Sequence, residues 1–472
     1  MKRYIYLLKN IGLLTISSFT SSILSFLLVP LYTSVLSTTD YGIYDIFNTT
    51  IMLCIPIFTV GIIEAVLRFS LDKDNNAEEI FAIGNSFIIR GFLILVFLLI
   101  LNYIFNVFAI VRTYSLFFLL LYAVTSFSQL LQYYARGREE IASLAVAGIL
   151  SSIVTLTLNI LLLLVIRLGL RGYFIASIIG LLTPGIYLSI KMKVWEYIIP
   201  HPNLRYRILK RKMVDYSWPM VINSISWWIN NSSSRYIIIF LCGISENGLF
   251  SVGNKIPTIL NVFQQIFNQA WVLSSVDEFD PEDSKRFFIK TYNVYNFMMV
   301  ITCSILILST KILARILYAK DFYVAWKYVP FLMIAIVFSA VSGLLGGIFS
   351  AVKDSKAYSK TTVVGAIVNI FTSFALVYVM GAIGASIGNA FSFFIVWAMR
   401  VKIAKKYMNL RINLVRDNIV YFILVIQAII IIYVNSTLSY FLQGLCVMLI
   451  VFAYRKELIN LRNSVKLNLK RG

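Results

Sequence analysis

The chain has 472 residues, of which 59% are hydrophobic and only 13% are charged. Soluble domains are about half apolar and about a quarter charged, so this composition excludes a water-soluble globular protein and predicts a chain that lies in a bilayer. The net charge of +21 does not indicate nucleic-acid binding, because the basic residues recur in short clusters between apolar runs. Four cysteines without metal-ligand spacing and one histidine, His201, argue against a zinc or haem site.

Apolar runs of about 20 residues, the length that a helix needs to cross the hydrocarbon core, recur along the whole chain. The first run has no small-residue cleavage site after a short apolar core, so it is predicted to be a retained span. Fourteen spans are predicted, and twelve or thirteen stay open because the third is ambiguous and the last two are short. They cover residues 10–36, 42–67, 81–106, 112–135, 141–166, 172–190, 216–242, 247–270, 289–309, 322–350, 359–380, 382–399, 418–434 and 437–454.

The distribution of lysine and arginine predicts the orientation. With the N-terminus in the cytoplasm, 32 of the 42 basic residues fall in segments predicted to be cytoplasmic and 7 in segments predicted to be external. This is the excess expected of cytoplasmic loops, so both termini are predicted to be cytoplasmic. The longest loop, 191–215, is too short for a soluble domain of ordinary size, and the function is therefore expected to lie within the membrane.

One sequence pattern occurs twice, at positions 40–48 and 246–254: an acidic residue, any residue, Gly, an aliphatic residue, an aromatic residue and, four residues on, Asn. A second match pairs 172–178 with 381–387 at nearly the same offset. The offset spans six helices, which predicts an all-α membrane protein with two pseudo-symmetric six-helix bundles, an arrangement typical of alternating-access transporters. The predicted domains are a first bundle (1–190), a basic linker (191–215), a second bundle (216–400) and two additional helices with a basic tail (401–472).

Amides and two cations occupy the seventh and eighth predicted spans. Arg235 and Lys255 lie on either side of a short predicted external turn, and Lys255 is expected about 10 Å below the outer surface at 1.5 Å per residue. A charge at this depth is costly and predicts a functional site, whereas an internal salt bridge or snorkelling to the interface is the structural alternative. The predicted polar lining of a water-filled cavity comprises Asn48, Asn230, Asn231, Asn254, Asn261 and Gln265.

Three further charged residues bear on this cavity. Arg90 is either inside the third span or at its edge, if that span begins at Gly91. Glu64 and Arg68 have the i, i+4 spacing that favours a local ion pair, with a role of Glu64 in a cytoplasmic gate as the alternative. Glu64 is taken as the one carboxylate within the spans. Cations with so few acids favour an anionic substrate such as a phosphate over a cationic drug.

Four segments carry a family resemblance: SFLLVPLYTSVLSTTDYGIYDI (25–46), PIFTVGIIEAVLRFSLD (56–72), YSWPMVINSISWWINNSSSRYII (216–238) and ENGLFSVGNKIPTILNVFQQIFNQAWVLSS (246–275). The chain resembles the Wzx-type O-antigen and capsule repeat-unit flippases of the multidrug/oligosaccharidyl-lipid/polysaccharide superfamily. The resemblance implies a MATE-like fold that moves polyprenyl-diphosphate oligosaccharide to the outer leaflet of the bacterial inner membrane by alternating access. The cationic positions that it implies for substrate binding are Arg235, Lys255, Arg90 and Arg68.

The resemblance also implies coupling to H⁺ or Na⁺, no cofactor, and membrane lipid, a polysaccharide polymerase and a chain-length regulator as partners. Ser234 stands where the family often has an acidic residue, which argues against a proton-linked role there. A polymerase or membrane glycosyltransferase is the alternative from another class. Such an enzyme needs positioned acid and base groups, and no paired carboxylates are found in the sequence. No catalytic residues are therefore predicted, and the chain is not expected to be an enzyme. The sequence leaves open a lipid II flippase and, less favoured because acids within the spans are scarce, a MATE-type drug antiporter.

Overall fold

Helices account for almost all of the computed structural model, which describes residues 26–72, 76–197, 204–277, 279–284, 286–352, 354–434 and 437–455. These residues form no β-strand, which confirms the predicted all-α class. Most of the predicted first span, together with His201, lies outside the described residues. The chain divides into two compact units, Met1–Ser232 and Ser233–Gly472. The four predicted domains stay a prediction.

Eight of the described helices lie in the first unit, and a ninth contains the boundary between the units. The last helical turns of α7 continue as a π-helical segment, Ile160–Val165, and a short 3₁₀ helix, Val194–Tyr197, follows α8. The helices are α1 (Val29–Val35), α2 (Thr38–Phe58), α3 (Ile62–Ser70), α4 (Ala77–Phe105), α5 (Ala109–Thr113), α6 (Ser115–Gly137), α7 (Ile141–Asn159), α8 (Gly169–Met192) and α9 (Leu204–Cys242).

The remaining helices belong to the second unit. A 3₁₀ helix, Lys320–Lys327, precedes α13, which is more deeply buried than any other apolar span among the described residues. Its buried face packs on α15, and α14 packs on α15 as well. The helices are α10 (Ile244–Gly253), α11 (Thr258–Asp277), α12 (Phe287–Leu317), α13 (Val329–Ala351), α14 (Ser355–Met380), α15 (Ala382–Tyr407), α16 (Leu414–Tyr433) and α17 (Thr437–Ala453).

Ten of the described helices are long and apolar enough to cross a membrane, which is compatible with fourteen spans. The ten include α16 but not α17, which is apolar and has 17 residues. The helices α9, α10 and α11, which correspond to the seventh and eighth predicted spans, also fall outside the ten. Helices α9 and α11 are long enough to cross a membrane but not apolar enough, and α10 has only 10 residues. Several of the amides predicted to line a cavity, together with Arg235, lie in α9 and α11.

The start of α2 and its separation from α3 follow from local sequence. Ser37 and Asp40 form a capping box, in which the Ser37 hydroxyl accepts from the Asp40 backbone N–H and the Asp40 carboxylate accepts from that of Ser37, each at 3.1 Å. Pro56 near the end of α2 precedes Gly61, which has a φ of +64°. A Cβ at Gly61 would lie 3.1 Å from the carbonyl oxygen of Ser217, so α9 approaches α3 closely here.

The predicted seventh span is longer than expected. It was predicted to begin at residue 216, after a basic linker, but α9 is continuous from Leu204 to Cys242. Its first turns lie beside α4, and further along the indole nitrogen of Trp228 donates to the carbonyl oxygen of Thr49 in α2 at 2.8 Å. Part of the predicted linker is thus the beginning of the helix, which brings its basic residues next to α4.

Candidate functional site

Arg90 and Lys210 lie over the same aromatic ring in the first unit. The Arg90 guanidinium carbon is 5.3 Å, and the Lys210 Nζ atom 5.5 Å, from the centroid of the Phe87 ring. Arg90 is the fourteenth of the 29 residues of α4, so it lies about 20 Å from either end of that helix. Arg90 therefore lies in the middle of the helix and not at its end. Its side chain is exposed, and an exposed arginine inside a membrane span is expected to face a water-filled cavity.

Among the residues that the structure describes, neither Arg90 nor Lys210 forms an ion pair with an acidic side chain. Two cations that repel each other without an acid between them are stabilised by an anion. The geometry therefore suits a group with several negatively charged oxygens, such as a diphosphate.

Glu64 and Arg68 do not form the ion pair that their spacing favoured. Arg68 pairs with Asp72 one turn further on, with 3.0 Å between Nη1 and Oδ1, and both side chains are about half exposed. Glu64 is hydrogen-bonded to Tyr133 and faces the charge of Arg136 on α6. Glu64 thus connects α3 to α6, while Arg68 lies in an exposed local pair away from Arg90.

The eighth predicted span is broken at Lys255. Helix α10 ends at Gly253 and α11 begins at Thr258, so Lys255 lies in the non-helical segment between them and not seven residues into one helix, as predicted. Pro257 explains the break, because proline lacks a backbone N–H and its ring clashes with the carbonyl four residues earlier. Backbone of this kind is tolerated at membrane depth only where protein buries it or where it lines a water-filled cavity.

The predicted amide lining satisfies part of its hydrogen bonding within its own helices. The Nδ2 atoms of Asn230, Asn231 and Asn254 each donate to the carbonyl oxygen four residues earlier, at 2.8–3.1 Å. Asn48 and Asn261 are half-buried, and Gln265 is exposed. These amides alone do not require a cavity, and the cations and the broken helix are what indicate one. Six of the eleven predicted site residues lie in the first unit (Asn48, Glu64, Arg68, Arg90, Asn230 and Asn231).

The residue before Arg235 belongs to a buried cluster of uncharged groups in the second unit. The hydroxyl of Ser234 donates to Asn389 Oδ1 at 2.9 Å and lies 3.3 Å from the hydroxyl of Ser373. Ser373 in turn donates to Asn369 Oδ1 at 3.0 Å. Hydroxyls and amides of this kind do not titrate near neutral pH, so this cluster offers no group that takes up or releases a proton. The half-buried Arg235 follows directly on the same helix.

Arg400 is buried, although its position was counted among the cytoplasmic loops. The twelfth span was predicted to end at residue 399, but α15 continues to Tyr407, and Arg400 is only 5% exposed. Its guanidinium lies 4.1 Å from the centroid of the Tyr358 ring. It donates to the hydroxyls of Thr361 and Thr362 at 3.1 Å and to the carbonyl oxygen of Ser342 at 2.9 Å. One side chain therefore joins α13, α14 and α15.

Besides Glu64, a buried carboxylate lies in the first turn of α16, one residue before the predicted span 418–434. Asp417 in α16 is completely buried. Its Oδ1 atom accepts from Nε and Nη2 of Arg416 at 3.0 and 2.8 Å, and its Oδ2 atom accepts from the hydroxyl of Tyr292 at 3.0 Å. Because Arg416 neutralises Asp417, the pair adds no net negative charge, and the preference for an anionic substrate is unaffected.

The sequence alone did not reveal Lys210, the break at Lys255 or the burial of Arg400 and Asp417. Pro257, between two polar helices, was the available signal for the break. Lys210 has helical spacing from the residues after 216, and this was the signal that the helix of the seventh span begins before residue 216. The contact of Lys210 with Arg90 had no sequence signal, because it joins residues 120 positions apart.

Comparison with known proteins supports a transporter-type fold. Residues 7–272, more than half of the chain, match the model of the family described as Polysaccharide biosynthesis protein. No curated protein matches the sequence significantly.

Three solved structures are similar over almost their whole length. The inward closed conformation of the lipid II flippase MurJ matches with a TM-score of 0.65 and 15% identity, over 93% of this chain and 98% of that one. The inward-facing conformation of a multidrug resistance MATE family transporter of the MOP superfamily matches with a TM-score of 0.65 and 14% identity, over 82% and 96%. A MOP superfamily transporter from Pyrococcus furiosus matches with a TM-score of 0.57 and 13% identity, over 84% and 95%. At these identities the likeness shows the fold.

Proposed function

Because the chain belongs to the polysaccharide biosynthesis protein family, we propose that it is a Wzx-type flippase. It moves polyprenyl-diphosphate-linked oligosaccharide repeat units from the cytoplasmic to the outer leaflet of a bacterial inner membrane by alternating access. The translocated repeat unit serves the synthesis of O-antigen, capsule or exopolysaccharide. Both termini of the chain face the cytoplasm. A polysaccharide polymerase and a chain-length regulator act on the translocated unit, and transport is coupled to H⁺ or Na⁺.

The pairing of Arg90 and Lys210 is the observation that supports this proposal most directly. A lipid diphosphate carries several negatively charged oxygens at the junction of an apolar tail and a polar sugar. Arg90 and Lys210 offer two cations on the face of Phe87 without an acidic partner among the described residues. Charge-assisted hydrogen bonds from guanidinium and ammonium groups to phosphate are about twice as strong as neutral ones. The pair is therefore proposed to hold the diphosphate in the first unit.

Lys255 and Arg235 are proposed to hold the same group in the second unit. Lys255 lies where the helix is interrupted, and interrupted helices near the middle of the membrane form the binding sites of many transporters. Alternating access requires that the substrate interact with groups exposed to each side in turn. Four cations distributed over two units provide such groups.

The decisive experiment locates the lipid-linked repeat unit in a strain that lacks the gene. We expect complete single repeat units on polyprenyl diphosphate to accumulate on the cytoplasmic face, measured by accessibility to a membrane-impermeant sugar-cleaving enzyme in oriented vesicles. Repeat units that reach the outer face and remain unpolymerised would instead assign the chain to the polymerisation step and overturn the proposal.

The cation pair is tested by complementation of the same strain. Arg90→Gln and Lys210→Gln are each expected to reduce export at least tenfold, since a hydrogen bond to a charged group contributes about 1.5–3 kcal/mol. Arg211→Gln is the matched control, because Arg211 follows Lys210 on the same helix but has an 87% exposed side chain. Membrane levels of all variants are measured by immunoblot. Normal export by the Arg90→Gln, Lys210→Gln double variant rejects this assignment of the pair.

Lipid II is the second candidate cargo, because the solved structure of the lipid II flippase MurJ matches 93% of this chain. Both cargoes are polyprenyl-diphosphate saccharides, so the proposed phosphate contacts do not separate them. Purified protein in liposomes separates them directly. If the protein translocated fluorescent lipid II at a rate equal to that of the oligosaccharide repeat unit, lipid II would replace the repeat unit as the proposed cargo.

A further inference from the structure

A groove of about 320 Å³ lies between α4 and α6 in the first unit, away from Arg90 and Lys210. Its apolar residues on α4 are spaced three or four apart, so they form one continuous face of that helix. Ile100 and Leu116, on opposite walls, are more than half exposed, which leaves the groove open to the surroundings of the helices. The lining residues are Val96, Leu99, Ile100, Tyr103, Arg112, Ser115, Leu116 and Leu119.

One end of the groove carries a positive charge. The guanidinium carbon of Arg112 lies 4.7 Å from the centroid of the Tyr103 ring. Within the described ranges, Arg112 forms no ion pair with a carboxylate. The neighbouring Phe105 and Phe108 are 70% and 65% exposed. Tyr103 is 64% exposed, and tyrosine beside an arginine is typical of the level of lipid headgroups, so this end is expected at the membrane interface.

The charged end is held in place by a local hydrogen-bond pair. The Oδ1 atom of Asn102 accepts from the backbone N–H of Phe108 at 2.8 Å, and its Nδ2 atom donates to the carbonyl oxygen of Phe108 at 3.1 Å. Asn102 itself is buried. This pair fixes the connection that leads from Tyr103 to Arg112. A ligand would therefore meet a preformed surface and would not need to order the loop.

We propose that this groove binds one anionic phospholipid of the surrounding bilayer. Arg112 pairs with the phosphate, since the guanidinium offers forked donors that match phosphate oxygens. Ser115, at the start of α6, lines the same groove. One acyl chain follows the apolar face of α4 from Tyr103 towards Val96. In the orientation that the charge bias predicts, the site lies in the outer leaflet. A bilayer phospholipid is favoured over the polyprenyl carrier because it is in large excess around an open groove. The site does not rest on the proposed function.

Native mass spectrometry of the purified full-length chain tests this site. The protein is incubated in detergent with equal amounts of phosphatidylglycerol and phosphatidylcholine. We expect the wild type to retain about fivefold more phosphatidylglycerol, and Arg112→Gln to remove this preference, since one basic residue near an anionic lipid surface is worth about a factor of five. Arg171→Gln, which removes another exposed arginine predicted on the same side of the membrane, should leave the preference unchanged.

A second variant separates loss of the site from loss of the fold. Leu116→Trp fills the groove from an exposed position and should reduce retention of phosphatidylglycerol although Arg112 is present. Equal retention of both lipids by the wild type, or an unchanged preference in Arg112→Gln, overturns the proposal. Displacement of phosphatidylglycerol by an equal amount of undecaprenyl diphosphate also overturns it, because the groove would then belong to the carrier lipid.

Discussion

The two copies of the repeated pattern begin alike and end differently. In the first, Asp40 caps α2, and the helix continues without a break through Asn48 to Phe58. In the second, Glu246 lies in the first turn of α10 and accepts from the hydroxyl of Tyr328 at 2.7 Å, but the helix ends just before Asn254. The residues after the shared asparagine account for the difference. The first copy has Thr49, Thr50 and Ile51, whereas the second has Lys255, Ile256 and Pro257.

The comparison shows how two copies of one pattern can differ in helix continuity. The hydroxyl of Thr50 donates to the carbonyl oxygen of Ile46 at 2.6 Å, so this hydroxyl is satisfied within its own helix. The second copy has Lys255 at the position of Thr49 and a proline two residues later, where the helix is interrupted. The common pattern thus specifies where the helix starts. The three residues that follow the pattern specify whether the helix is interrupted beside a cation.

Replacing the cation of the second copy has the largest expected effect. Lys255→Ala should abolish export of the repeat unit, because a buried or half-buried phosphate contact is lost while the membrane level of the protein stays normal. Thr49→Ala, at the corresponding position of the first copy, should retain most of the export. Both are measured by surface polysaccharide and immunoblot in the deletion strain. Equal loss in both variants would mean that the two copies contribute alike.

Closing the helix break is expected to have the next largest effect. Pro257→Ala removes a residue that costs about 3 kcal/mol in a helix interior, so α10 and α11 should join, thermal stability should rise and transport should fall about tenfold. Spin labels at Ser245 and Phe263 should then lie about 27 Å apart along a straight helix. Pro219→Ala is the control, because α9 is continuous at Pro219. A label distance unchanged by Pro257→Ala would show that proline is not the cause of the break.

The exposed pair of Arg68 and Asp72 has the smallest expected effect. Arg68→Ala should change the free energy of unfolding by less than about 1 kcal/mol, because exposed ion pairs contribute little in water. Thermal melts in detergent compare Arg68→Ala with Asp417→Asn. The second variant leaves Arg416 buried without its carboxylate and should lower the free energy of unfolding by about 3–5 kcal/mol. A large loss of stability in Arg68→Ala would mean that Arg68 makes a stabilising contact besides the one with Asp72.

The helices could be predicted from the sequence because each apolar run is a local property, and most of the runs from 42 onwards appear as helices close to their predicted bounds. The site could be predicted only in part. Arg90 and Lys255 were recognised as cations within apolar segments. Lys210 and Arg400 fall in predicted loops, because a count of apolar residues ends each span at its first charged residue. A helix, in contrast, continues wherever tertiary contacts stabilise it. Asp417 was missed for the same reason, since its burial depends on Arg416 and Tyr292.

The contacts of Arg400 restrict how the second unit can move. Its three hydrogen bonds and its stacking on Tyr358 connect α13, α14 and α15 at one point. To slide one of these helices past the others, the protein would have to leave a guanidinium and two hydroxyls without partners in an apolar environment, at a cost of several kcal/mol. The three helices are therefore expected to move as one rigid body during a transport cycle, with bending confined to segments outside them, such as the interruption at Lys255.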